Sequence, residues 1–322
     1  MKIAKRILIA LLILIALLVG AAAALPIIFK DEIVAMAREE ANKSVNAEVD
    51  FHDVSLSLFR SFPNFSMRID SLSVIGKDEF AGIPLVRSDY ASLTLDLMSV
   101  IRSSEPVSVK SVHLERPQLE IYVTKNGTAN YDIALPSEET APDTASTDYS
   151  GLVIQLESYS INDGYLLYDD RSIDVLLDID ELNHRGTGNF TLTEYDLDTE
   201  TEIVAITVEQ GGIAYLDRAA AQLDAIFHID QETSKYSLKD NVLTVNALQL
   251  QADGFVQLEG DDVNMELAFN SPQNDFKSLL SLIPNAYIEG YEDVQASGQF
   301  TLTGNVSGTY RAEPETHPAF QI

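Results

Sequence analysis

The chain has 322 residues, 46% of them hydrophobic, with 50 acidic against 21 basic side chains and a formal net charge of -29. A balance of that sign repels phosphate backbones and anionic bilayer surfaces, which argues against a nucleic-acid binder and against peripheral attachment of the folded part to lipid headgroups. The absence of cysteine removes disulfides, thiolate metal sites and cysteine nucleophiles, while the apolar content suffices for a large folded body.

Lys2, Lys5 and Arg6 precede an uncharged run from Ile7 to Phe29. At about 1.5 Å per residue that run is roughly 34 Å long as a helix, enough to cross a hydrocarbon core of about 30 Å. Ala22, Ala23 and Ala24 match a signal-peptide cleavage pattern, whereas the apolar continuation through Leu25, Ile27, Ile28 and Phe29 favours an uncleaved anchor. Either reading keeps the basic residues cytoplasmic and sends the remainder across the membrane.

From Asp31 to Asn46 the four-residue spacing of Ile33, Ala37, Ala41 and Val45 predicts a helix. Beyond it the period falls to two. Leu93, Leu95 and Leu97 alternate with polar neighbours, as do Leu243 and Val245, and then Met265, Leu267 and Phe269. Such alternation predicts strands with one apolar and one wet face. Turn-forming clusters at Lys125-Asn126-Gly127, Asn162-Asp163-Gly164, Gln210-Gly211-Gly212, Asp253-Gly254 and Gly260-Asp261-Asp262 separate them, giving roughly fifteen strands. The gaps are too short for crossover helices, so the strands are expected to be antiparallel. The segment 136–149 is acidic and rich in Ser, Thr and Pro, and reads as a linker. A second helix is expected from Ser271 to Pro284, with Phe276, Leu279, Leu280 and Ile283 on one side. Ile161, Gly164, Tyr168, Asp170, Arg171, Leu176 and Ile179 recur 47 residues later as Val208, Gly211, Tyr215, Asp217, Arg218, Leu223 and Ile226, which suggests stacked hairpin units. The expected divisions are 1–30 (anchor), 31–135 (helix plus β segment), 136–149 (linker) and 150–322 (a continuing β segment).

Local motifs for chemistry are missing. His52, His113, His184, His228 and His317 lack metal-site spacing, and no phosphate loop, dinucleotide fingerprint or nucleophile elbow occurs. The acidic pairs Asp169-Asp170 and Asp261-Asp262 read as turns or strand ends. Catalytic residues, metals and cofactors are therefore not expected. What remains is an apolar face that either closes against a second sheet as a sandwich or stays open on a curled single sheet, and periodicity does not separate these.

Several segments carry a resemblance. The basic-flanked N-terminal run is followed by a helix, then by Val49 to Phe65 with its Phe62-Pro63-Asn64-Phe65 element. Leu114-Glu115-Arg116-Pro117 is followed by Lys125-Asn126-Gly127-Thr128-Ala129-Asn130-Tyr131-Asp132, and later come Phe276 to Pro284 and Gly298 to Gly304. In order and spacing these resemble the AsmA family of bacterial envelope proteins, with Asn126 replacing the family's usual Asp. The resemblance implies an inner-membrane anchor through residues 7–29, a cytoplasmic N-terminus and a periplasmic body. It also implies an all-β fold, a long, curled, mostly antiparallel sheet with about two short helices whose apolar groove takes phospholipid or other acyl chains, serving phospholipid transport and outer-membrane lipid homeostasis. It supplies no catalytic residues, and it implies that the chain continues past Ile322. The candidate groove residues are Leu93, Leu95, Leu97, Leu119, Ile121, Val123, Leu243, Val245, Met265, Leu267 and Phe269. The alternative is a non-enzymatic scaffold or assembly factor with a closed β core and envelope-protein partners.

Overall fold

The computed structural model describes residues 30–57, 61, 63–101, 107–135, 152–260, 262–276, 297–311 and 316–322. The expected membrane segment and the linker lie outside them. Helix α1 (Lys30–Ser44) occupies the predicted position, and a short helix α2 spans Leu97–Ile101. Among the described residues, all other regular structure, apart from one 3-10 turn at Asp78–Phe80 and a single helical residue at Phe276, is strand.

Fifteen strands form one sheet among the described residues. They are β1 (Ala47–Asp50), β2 (Asp53–Ser57), β3 (Phe65–Gly76), β4 (Pro84–Leu95), β5 (Val107–Glu115), β6 (Gln118–Val123), β7 (Leu152–Asp170), β8 (Val175–Gly188), β9 (Glu194–Gln210), β10 (Ile213–Asp230), β11 (Lys235–Val245), β12 (Leu248–Glu259), β13 (Asp262–Asp275), β14 (Gln299–Tyr310) and β15 (Ala319–Gln321). Almost every strand hydrogen-bonds its neighbour in sequence, so the sheet is a meander from β7 to β15. Its pairings are antiparallel with one exception: β7 runs parallel to β5 and β6. A parallel neighbour needs a long return connection, and the stretch 124–151, which contains the acidic linker, is the one connection here that provides it. β5 and β6 act as one lane broken at Arg116-Pro117, since β4 and β7 each pair with both.

Several expectations are corrected. Asp96 ends the alternation of β4, and Leu97 opens α2 instead of continuing the strand. The Ser99 amide donates to Asp96 Oδ1 at 2.9 Å, an N-cap that diverts the chain into a helix. Asn162-Asp163-Gly164 and Asp253-Gly254 are not hairpin turns but lie inside β7 and β12. Ser271 belongs to β13 and is fully buried, so it is not an N-cap; residues 277–284 of the expected helix lie outside the described part. The 47-residue recurrence is not structural, because Gly164 sits within β7 whereas Gly211 occupies a tight turn after β9.

The physical reason for the misplaced turn at Asn162-Asp163-Gly164 is a line of β-bulges and strand irregularities crossing the sheet from β3 to β10. In seven successive lanes the apolar phase skips to a spacing of three: Ile69/Leu72 in β3, Ala91/Ser88 in β4, Leu114/Pro117 at the β5–β6 break, Ile161/Gly164 in β7, Leu182/Ile179 in β8, Ile203/Ile206 in β9 and Ala219/Leu216 in β10. Five of these steps contain a non-glycine residue with positive φ, namely Ser71, Arg116, Asp163, Glu181 and Arg218. A Cβ added at Gly164 would stand 2.8 Å from Ile161 Cγ2, so residues three apart share one face there. Bulges bend strands and increase their twist, and here each also restores the apolar residues to a common face. Polar side chains tie the line together on the other face. Arg116 Nε donates to Asp89 at 2.7 Å, the Asp163 amide donates to Asn183 Oδ1 at 3.0 Å, and Arg218 lies 3.7 Å from Asp180.

Candidate functional site

Paired residues on adjacent strands project to the same side, so the register traces rows of side chains across the sheet. One row runs from Val54 through Ile69, Ala91 and Leu114 to Ile161. It continues through His184, Thr201 and Leu223 to Leu243 and Leu250. The next row toward the far end of the sheet links Leu93, Val112, Tyr159, Gly186, Thr199 and Ala225. On the other side of the bulges, Val86, Leu119, Leu166, Ile179, Ile206 and Ala219 align in the same way.

The structure brings ten of the eleven expected residues onto this one face. Leu93 and Leu95 pair with Val112 and Val109; Leu119, Ile121 and Val123 pair with Leu166, Tyr168 and Asp170. Leu243 and Val245 lie between Leu223 and Ala221 on one side and Leu250 and Leu248 on the other. Met265, Leu267 and Phe269 lie opposite Val256, Gly254 and Ala252. Leu97, on α2, falls outside this alternation.

Most large side chains on the face are half-buried by their lateral neighbours, whereas Leu95, Val109, Val123, Tyr195, Ile229 and Leu248 are buried; among the described residues the small side chains of Ala47 and Ser271 are sealed from solvent. Among the described residues the principal contacts join strands that are lateral neighbours in the sheet, and α1 packs mainly on β1 and β2 at one edge. Among the described residues, then, neither a second sheet nor a helix lies over the rows from β7 to β14. Two glycines let aromatic rings lie flat across these rows. A Cβ at Gly186 would meet the Tyr159 ring at 2.4 Å, and one at Gly304 would meet the Phe269 ring at 2.3 Å, with Phe320 stacked on Phe269 at 6.0 Å. Clefts of about 520 Å³ beside Val123, Tyr122, Phe80 and Ile83 and of about 530 Å³ around Gly254, Leu267 and Val306 interrupt the surface.

Charge is segregated to the opposite face. Glu194, Asp196, Asp198, Glu200 and Glu202 alternate along β9 with the apolar-face residues Tyr195, Leu197, Thr199 and Thr201. Lys239 and His228 approach Asp196 at 2.8 and 2.7 Å and hold its carboxyl below the usual carboxylate range. On the apolar rows the one acid is Asp170 at the end of β7, capped by Ser172 Oγ at 2.6 Å and Tyr168 OH at 2.8 Å. The Ser172 hydroxyl is the main reason its carboxyl titrates below the ordinary value.

Sequence reasoning passed over one residue on this face. His184 stands in the middle of β8, with Nδ1 2.8 Å from Thr201 Oγ1 and Nε2 3.1 Å from Tyr159 OH. Burial lowers its pKa, so the imidazole is neutral at physiological pH. The signal was its position two residues beyond Leu182, in phase with the apolar alternation, where an exposed histidine would not stand.

No group of acidic or histidine side chains among the described residues is arranged to hold a metal. The architecture defines a single-sheet, all-β protein with one apolar and one acidic face. Comparison with known proteins finds no matching family model, no similar curated protein and no similar solved structure.

Proposed function

We propose that the apolar face binds lipid acyl chains, and that the sheet curls along its line of bulges into a groove serving phospholipid transport and outer-membrane lipid homeostasis. The observation that carries this reading is an apolar face crossed by aligned rows, over whose β7–β14 part no second layer lies among the described residues, with most of the acidic side chains on the other face. Removing a CH₂ group from water gains about 0.8 kcal/mol, so a ~16-carbon chain gains on the order of 12 kcal/mol gross, and no sharply defined pocket is required. Thirteen strands on the main path, spaced about 4.8 Å apart, extend the rows for roughly 60 Å. Equivalent rungs on successive strands let a tail move laterally while its headgroup stays in water. In this reading residues 7–29 anchor the chain in the inner membrane, the body is periplasmic, no residue is catalytic, and the rungs include Leu93, Leu119, Leu243 and Leu267.

The test is native mass spectrometry of the full chain after gentle extraction. Wild type carries phospholipid, and Leu267→Asp, on a half-exposed site, reduces the carried lipid at least about tenfold, the cost of seating a tail beside a charge. A well-folded, lipid-free wild type overturns the reading. The second reading, a scaffold for envelope proteins, is favoured by one feature: β15 pairs with β14 only at Asn305–Ser307, which leaves much of that strand's edge without a described partner. Under that reading Leu267→Asp changes no bound lipid, whereas disrupting the edge of β14 releases a protein partner.

A further inference from the structure

We infer that Tyr159, His184 and Thr201 form a recognition point for the carboxyl group of a long-chain fatty acid on the otherwise apolar face; this rests on the acyl-binding reading above. The argument begins with hydrogen-bond counting. A neutral imidazole has one N–H donor and one acceptor nitrogen. With Thr201 Oγ1 at 2.8 Å and Tyr159 OH at 3.1 Å, one hydroxyl accepts from the ring and the other donates to it. The accepting hydroxyl keeps its own proton, so the three groups together always retain one O–H donor that the ring does not use. All three side chains are half-buried, neither enclosed nor fully solvated.

The surroundings select the ligand. Ile161 and Leu182 flank the cluster on one side, and Leu223, Leu243 and Leu250 continue its row across the following strands. From Thr201 to Leu250 is three strand spacings, about 14 Å, a run along which a tail can lie. No Lys or Arg occupies a position in these rows, so a phosphate, which stays ionised, finds no permanent counter-charge. A carboxylic acid differs because it can hand its proton to the ring. The acid O–H bond breaks, the proton bonds to an imidazole nitrogen, and carboxylate and imidazolium result with no electron transferred. Both hydroxyls are then free to donate to the carboxylate, a charge-assisted arrangement stronger than the neutral one. Gly186 is part of the site because any side chain there would displace the Tyr159 ring.

The experiment uses the full chain in micelles, equilibrated with oleic acid labelled with ¹³C at its carboxyl or with methyl oleate. Native mass spectrometry counts bound ligand, and NMR reads the carboxyl and imidazole resonances. Wild type prefers oleic acid by about tenfold, and the ring becomes protonated on binding. His184→Leu, and separately Tyr159→Phe with Thr201→Val, abolish that preference, so that oleic acid and methyl oleate bind alike in each variant. An equal preference in wild type and variants, or none in wild type, overturns the recognition point. Failure of wild type to bind methyl oleate and phosphatidylcholine as well overturns the acyl-binding reading together with it.

Discussion

At the scale of single residues, short-range hydrogen bonds redirected the chain where apolar periodicity alone predicted continuity. Asp96 is the clearest case. The Ser99 amide is the main cause of its lowered carboxyl pKa, with Lys110 adding to the effect and burial opposing it. Because the folded-state value is depressed, this stabilisation is present above the unfolded pKa near 4 and is lost as pH falls through the folded value. Asp96→Ala is therefore expected to cost about 1 kcal/mol at pH 7, and urea midpoints of wild type and variant should converge as the pH approaches 2. The bulge residues were not legible for a different reason. Ser71, Arg116, Asp163, Glu181 and Arg218 all have positive φ, yet only Asp163 belongs to a type that commonly adopts it. Neighbouring strands hold the others there. Glu181→Gly should leave stability within about 0.5 kcal/mol of wild type, whereas Glu181→Val should cost about 1–2 kcal/mol, as measured by equilibrium urea unfolding. Equal effects would show that Glu181 carries no backbone strain.

At the scale of elements, helix α1, the strand-rich remainder and the hairpin turn at Gln210-Gly211-Gly212 followed directly from period and turn chemistry. Asp253-Gly254 did not, because the same two residue types suit a turn and a strand interior where another backbone comes close. At Gly254, φ is 125° and a Cβ would stand 1.9 Å from the Glu266 carbonyl oxygen, so proximity to β13 is what requires glycine. Local sequence contains no record of that proximity. A comparable device closes the irregular stretch between Leu238 and Leu243, where the Ala252 amide donates to Asn241 Oδ1 at 2.8 Å and Asn241 Nδ2 donates to the Ala252 carbonyl. Asn241 is buried and stands in for a ladder pair. Asn241→Leu should cost about 2–3 kcal/mol by removing both bonds and leaving the Ala252 backbone groups unpaired. A loss below about 0.5 kcal/mol would mean that solvent replaces them.

At the scale of the whole molecule, stability is distributed along the meander, because each strand is supported almost entirely by its lateral neighbours. Hydrogen exchange should then be slowest in β8, β9 and β10, the long central strands, and should quicken toward β14 and β15, since opening can propagate inward from a sheet edge. Uniform protection from β7 to β15 would show a single cooperative unit instead. The sequence by itself determined the all-β class, the two-faced character of the strands and ten of the eleven residues on the apolar face, because side-chain direction in a strand alternates with a period of two and needs no distant partner to set it. Tertiary structure alone decided that these faces join into one sheet with no second layer described over its central strands, that a line of bulges keeps them in phase, and that Tyr159, His184 and Thr201 meet. Those features depend on register between segments far apart in the chain, and register is a property of pairs of strands that neither strand encodes alone.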